Sequence, residues 1–142
     1  MAAPDTTAGI DPPMARWIVL LGLSALACGP SRPPIPDAAT LAPTGSSCPP
    51  ASTLTYESFG RAFFEQYCQT CHASSVRGGA RQGAPSSHTY DDRAMIVRAI
   101  EEIDLRAAAG PDAINEDMPR SYPVPSALER ERLGEWLACG AP

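Results

Sequence analysis

Residues 68–72 read Cys68-Gln69-Thr70-Cys71-His72, and no other part of the chain constrains its architecture as strongly. Two thiols separated by two residues, with a histidine directly after the second, are the pattern for covalent attachment of a c-type haem. Each thiol adds to one vinyl group of the porphyrin, and the neutral imidazole of His72 lies under the iron as its proximal ligand. The motif has rivals. A thioredoxin-like pair opens a helix after a strand, and no alternating apolar strand precedes Cys68. A zinc site needs a second close-spaced pair of ligands, whereas Cys48, His88 and Cys139 are scattered singly. Haem is the leading reading, with zinc or dithiol chemistry as the alternatives.

Immediately upstream, Tyr56, Phe59, Phe63, Phe64 and Tyr67 follow the i, i+3, i+4 spacing of a helix face. Thr55 is the expected N-cap, with Glu57 and Ser58 in the first turn. Gly60 falls inside this helix, where it costs about 1 kcal/mol relative to alanine, so a close helix contact is expected there. Gly60, Phe64 and Cys68 are four apart and form one stripe leading into the motif. Downstream, residues 73–87 are rich in glycine and serine and read as a loop. The Pro85 region is positioned to return a backbone carbonyl to the second imidazole nitrogen of His72; a plain turn is the alternative. Arg77 and Arg81 are candidates to pair with haem propionates, or else solvated surface charges.

Asp91 to Ala109 reads as one helix or two short ones, with Met95, Ile96, Ala99, Ile100, Ile103 and Leu105 on the buried side and Gly110-Pro111 as the stop. A loop carrying Met118-Pro119 follows. Ser126 and Glu129 then form a capping box for a last helix, with Leu133, Trp136 and Leu137 facing inward and Gly140 at its end. Three side chains are candidates for the sixth position of the iron. Met95 has core spacing within a helix, and His88 lies in a polar loop close to the proximal histidine. Met118, on an irregular loop stiffened by the proline after it, is the expected ligand.

The chain has 142 residues, enough for one domain with a modest core, and its 16 prolines and three phenylalanines make that core small. A porphyrin would enlarge it by adding apolar surface. The formal charge is −5 and all 11 basic residues are arginine, which argues against a nucleic-acid partner. Residues 1–13 read as a non-native start or a disordered stretch, with Met14 the expected start of translation. Residues 14–27, Arg16 followed by an uncharged run from Trp17 to Ala27, read as a signal peptide too short to span a membrane. Ser24-Ala25-Leu26-Ala27-Cys28 resembles a bacterial lipobox, with Ala25 where leucine is usual, so Cys28 is the expected lipidation site; cleavage of an ordinary signal peptide near Ala27 is the alternative. Residues 28–54, punctuated by proline, read as an extended lipid-anchored tether, and residues 55–142 as the folded domain.

From about Thr55 onward the chain resembles the class I, mono-haem cytochrome c family. The resemblance rests on Gly60-x3-Phe64-x3-Cys68-x2-Cys71-His72, on Met118-Pro119 in a late loop and on Leu133-x2-Trp136 in the terminal helix; the haem motif is its only highly specific part. It implies an all-α fold of three to four helices packed round one covalent haem c, with the first and last helices crossing at Gly60, Phe64 and Trp136. It implies His72 and Met118 as axial ligands and Cys68 and Cys71 as attachment points. With Cys28 taken by lipid and two thiols by haem, Cys48 and Cys139 remain. The implied helix crossing and an exported setting make a disulfide between them plausible; two unconnected thiols are the alternative. The absence of lysine departs from partners that dock on a lysine ring.

The expected function is one-electron transfer by a carrier, not an enzyme: His/Met ligation leaves no open site for a small-molecule substrate. The expected partners are periplasmic or membrane redox proteins, met on the periplasmic side of a bacterial membrane, the outer membrane more than the inner. A haem-based sensor or gas-binding module with a displaceable sixth ligand, and a non-haem zinc or structural lipoprotein, are the competing functions.

Overall fold

Thr55 starts the first helical segment as the sequence predicts. Its backbone is extended (φ −128°, ψ 168°), its Oγ1 accepts the Ser58 N–H at 3.0 Å, and Ser58 Oγ accepts the Thr55 N–H at 2.9 Å. A computed structural model describes residues 41–142; the expected signal peptide at 14–27, the expected lipidation site Cys28 and the first part of the expected tether lie outside the described residues. After Thr55 comes a π-helical turn, Tyr56–Gly60, running into α1 (Arg61–Tyr67) and the single turn α2 (Gln69–His72). A 3-10 turn, Gly78–Arg81, interrupts the following loop. Then come α3 (Arg93–Arg98), α4 (Ile100–Ala107) and α5 (Ala127–Ala138).

Among the described residues there is no strand, only an isolated bridge between Ala109 and Ile114, so the domain is all-α. It has five α-helices where three to four are expected. The additional one is the single turn set off by a break at Cys68 (φ −116°, ψ −39°), which no glycine or proline marks; the stretch 91–109 takes its two-helix form, with the break at Ala99 (φ −109°, ψ 14°). The cap of α3 is Asp92, whose carboxylate accepts the Ala94 N–H at 2.8 Å. The cap of α5 is the predicted box, with Ser126 Oγ accepting the Glu129 N–H and the Glu129 carboxylate accepting the Ser126 N–H at 2.8 Å.

The core is aromatic at its centre. Phe59, Phe63, Phe64 and Tyr67 meet Trp136, Leu133 and Leu137 of α5, with Ile96, Ile103 and Tyr90 completing the cluster. Trp136 is fully buried, its ring centroid 6.0 Å from Phe64 and 6.2 Å from Phe59. A Cβ added at Gly60 would lie 2.7 Å from Trp136 Cζ2, so the turn and α5 touch where only a glycine permits it. At the far side of α5, Gly134 packs against the Ala109 carbonyl and Ser46 Oγ in the same way.

The folded body begins earlier than Thr55, which corrects the domain boundary. Thr44 is 1% exposed; its N–H and Oγ1 donate to the Asp104 carboxylate at 2.9 and 2.6 Å, and its carbonyl accepts the Asp112 N–H at 2.9 Å. Ser46 Oγ donates to Ala109 O, Asn115 Nδ2 donates to Ala42 O, and Ser52 Oγ donates to Glu135. This arm has little apolar surface to bury, but its small polar groups satisfy carbonyls and carboxylates of α4, of the segment after it and of α5, and that suffices to order it. A disulfide joins Cys48 to Cys139, with Cα atoms 4.7 Å apart, fastening the arm to the end of α5.

Candidate functional site

The break at Cys68 followed by one helical turn arranges the motif. The His72 N–H bonds to Cys68 O at 2.9 Å and the Cys71 N–H to the same oxygen at 3.2 Å. Positions i, i+3 and i+4 of one turn share a face, so both thiols and the imidazole are presented together. They line a cavity of about 270 Å³, close to the lower end of the roughly 300–1,000 Å³ usual for ligand pockets. Phe64, Tyr90, Ile103 and Ala107 give it apolar walls, and Met118 and Pro119 enter it from the loop between α4 and α5.

His72 is fixed by its Nδ1, which lies 3.1 Å from the carbonyl of His88. That contact favours the Nδ1–H tautomer and leaves Nε2 as the nitrogen able to coordinate a metal. The carbonyl expected for this role was that of Pro85. It is instead engaged by Arg81, whose Nη2 donates to Pro85 O at 2.6 Å, and the chain reaches His72 three residues later. The imidazole is half-buried: desolvation lowers its pKa, the His88 carbonyl raises it in part, and the Arg81 charge lowers it further. The neutral form, the one that binds metal, is therefore favoured. Tyr90 stacks on the ring with centroids 4.8 Å apart, and its N–H donates to His72 O at 2.7 Å. Burial pushes the Tyr90 hydroxyl up to about 12.

Arg81 is neither solvated nor free to reach a propionate. It is 7% exposed and directs its whole guanidinium at backbone carbonyls of the surrounding loop. Arg77, by contrast, is exposed and donates to the carbonyls of Ser74 and Val76.

Met118 is held from both sides of its peptide. Its N–H donates to Arg106 O at 2.9 Å, and its carbonyl accepts from Arg130 Nη1 at 2.9 Å. Arg130, 3% exposed, gives the same nitrogen to Ala107 O at 2.7 Å and Asn115 O at 2.9 Å, while its Nε has no partner. Arg106 pairs with Glu102 and with the buried Asp117 beside Met118. Met95 sits half-buried on α3, its Sδ 3.9 Å from Arg98 Nη1, and is not among the cavity's lining residues. His88 lines the cavity, but its backbone is bonded to Nδ1 of His72, the nitrogen that faces away from a metal at Nε2. The four motif-derived residues Cys68, Cys71, His72 and Met118 are thus brought together, and Met95 is not.

Tyr90, Arg106 and Arg130 have no counterpart in the sequence reading. A lone aromatic in a polar stretch and arginines on otherwise polar helix positions carry no pattern that separates them from surface residues.

The cavity brings together two thiols, an imidazole and a thioether. Cys68 and Cys71 are both free thiols although the chain forms a disulfide elsewhere. Desolvation at the apolar wall pushes the Cys68 thiol up to about 12. Among the described residues no group of three or more His, Cys, Asp or Glu side chains is placed to hold a metal ion. The cleft is apolar and edged by two thiols, an imidazole and one thioether, the donor types that a covalently attached haem would use. Compared with protein-family models, with curated proteins and with solved structures, the chain matches none.

Proposed function

We propose that this chain is a one-electron carrier holding one haem c, of the class I cytochrome c kind. The observation that carries the reading is that Cys68, Cys71, His72 and Met118 line a single apolar cavity. The packing of Gly60 and Phe64 against Trp136, as the resemblance implies, supports it. On this reading Cys68 and Cys71 would hold the haem through thioethers, and His72 Nε2 and the Met118 thioether would be its iron ligands. When bound, the haem supplies the redox couple. The protein's part is to fix the imidazole through Nδ1, to hold the methionine loop through Arg130 and Arg106, and to keep water away with Phe64, Ile103 and Tyr90. A thioether opposite an imidazole favours the reduced metal and raises the potential. With both iron ligands supplied by the protein there would be no open site for a substrate, so the reading is transfer to other redox proteins and not catalysis. Lipidation at Cys28 would tether the domain outside the cytoplasm, on the periplasmic side of a bacterial membrane, the outer membrane more than the inner.

The test is expression together with a cytochrome c maturation system. The haem should stay with the polypeptide through a denaturing gel, and the reduced protein should not take up carbon monoxide. Met118→Ala should open the sixth position, lower the potential and allow carbon monoxide to bind. Haem that runs free of the chain refutes covalent attachment. Stoichiometric carbon monoxide binding by wild-type protein refutes the carrier reading in favour of a sensor.

A further inference from the structure

The carbonyl oxygen of His88 has two donors. His72 Nδ1 lies 3.1 Å from it and Arg81 Nη2 2.9 Å. Arg81 is 7% exposed, and its other hydrogen bonds go to the carbonyls of Ala73, Val76, Ala84 and Pro85 at 2.6 to 3.4 Å. Among the described residues no carboxylate forms an ion pair with it. A full positive charge, neutralised only by carbonyl dipoles, is therefore attached to the same atom that orients the imidazole.

We propose that Arg81 is a positioning residue that weakens the donor strength of His72 by sharing its carbonyl partner, and so raises the reduction potential of the metal centre. A carbonyl acting alone polarises the Nδ1–H bond, gives the ring imidazolate character and strengthens its donation to a metal. A guanidinium on that oxygen draws electron density away, so the Nδ1–H bond is less polarised. The unscreened charge in a buried loop also disfavours the more positive oxidised state. Both effects have the same sign. A structural tie for residues 73–88 needs the five carbonyl contacts but neither of these electronic consequences.

The inference rests on the carrier reading, and its test separates the two. The full-length protein is purified as wild type, Arg81→Gln and Arg81→Lys, and haem attachment is scored first on a denaturing gel. In the reduced, diamagnetic state, nitrogen and proton spectra report the His72 Nδ1–H, and wild-type His88 carbonyl carbon should couple through hydrogen bonds to both His72 Nδ1 and an Arg81 Nη. Arg81→Gln should shift the Nδ1–H signals toward a stronger hydrogen bond and move the reduction equilibrium by on the order of tenfold toward the oxidised form, about 59 mV. Arg81→Lys, which keeps the charge, should move it by less than half as much. If haem is attached and neither the Nδ1–H signals nor the potential change in Arg81→Gln, the proposal is overturned while the carrier reading stands. A chain without haem in which the His72 signals still respond to Arg81 overturns the carrier reading and leaves the shared carbonyl standing. Should Arg81→Gln fail to fold, the wild-type couplings decide: coupling of the His88 carbonyl to only one of the two donors overturns the proposal.

Discussion

Replacing Gly60 by alanine sets two effects of opposite sign against each other, and the structure gives the size of both. In a helical position alanine is favoured over glycine by about 1 kcal/mol. Against this, the new Cβ would stand 2.7 Å from Cζ2 and 2.9 Å from Cη2 of Trp136, and 3.1 Å from Tyr56 Cδ2. Carbon contacts are comfortable at about 3.5–4.0 Å, so either the indole or the turn must give by roughly 0.8 Å. The indole has nowhere to go: it is fully buried against Phe59 and Phe64, with Nε1 toward Pro142 O at 3.4 Å. Overpacking of this kind costs about 1–3 kcal/mol. Gly60→Ala should therefore lose about 1 kcal/mol net, read as a fall in the urea midpoint at unchanged slope. Trp136→Phe removes the two carbons concerned. In that background Gly60→Ala should become neutral or stabilising, giving a coupling of about 1–3 kcal/mol across the double-mutant cycle. Stabilisation of the otherwise wild-type protein by the full propensity gain would refute the close contact.

Other perturbations have equally definite expectations. Cys48 and Cys139 are 91 positions apart, a closed loop for which chain entropy gives about 4.6 kcal/mol, so Cys48→Ser, Cys139→Ser and the double variant should lose similar amounts in thermal unfolding. Unequal single losses that sum in the double would show that the cysteines act separately. Ser126→Ala should cost about 1 kcal/mol by removing the α5 cap. The Glu129 carboxyl is held below its ordinary value by the Ser126 hydroxyl, with help from the Ser126 N–H and Tyr67. Its contribution is therefore present at neutral pH, begins to fade as pH drops below about 4.5 and is gone beneath the folded-state pKa. Glu129→Gln should flatten that limb of the stability–pH curve; an unchanged acid limb would count against the cap as its source. Arg130→Met strands three carbonyls and should cost about 3 kcal/mol or more in denaturant unfolding; a loss under 1 kcal/mol would mean those carbonyls find other partners.

What the sequence reveals and what it hides divide along physical lines. The capping box of α5, its inner face and the clustering of Cys68, Cys71 and His72 all follow from periodicity and local hydrogen bonding, which a linear sequence encodes directly. Met118 could be separated from Met95 because a thioether at helical core spacing is committed to packing, whereas one on an irregular loop is free to point into a cavity. The arm from Ala42 to Leu54 was hidden because its order comes from Thr44, Ser46 and a disulfide engaging groups 60 or more positions away, while its composition is that of an extended tether. The choice of His88 over Pro85 was hidden for another reason. Every residue has a carbonyl, so the acceptor is selected only by the path of the loop, and that path is set by Arg81, a charge that hydropathy assigns to the surface. The helix break at Cys68 has no glycine or proline to announce it.

The two halves of the cavity come from distant parts of the chain, the thiols and imidazole at 68–72 and the thioether at 118, and α5 is the element that relates them. Its first turn reaches the early half: the Tyr67 hydroxyl donates to Glu129 at 2.8 Å, one residue before Cys68. One position later Arg130 holds the late half through the Met118 carbonyl. Trp136, about 9 Å farther along the helix axis, then pins the π turn at Gly60. The separation of the two halves is therefore fixed by one short helix bonded to both. The anchors differ in kind: Arg130, buried, and Glu129, at the partly exposed start of α5, act through directed hydrogen bonds, while Trp136 acts through packing that tolerates little displacement. For a carrier the consequence is functional. On the proposed carrier reading an electron would move rapidly only if His72 and Met118 kept their positions in both oxidation states, and referring both to the same helix resists changes in the distance between them.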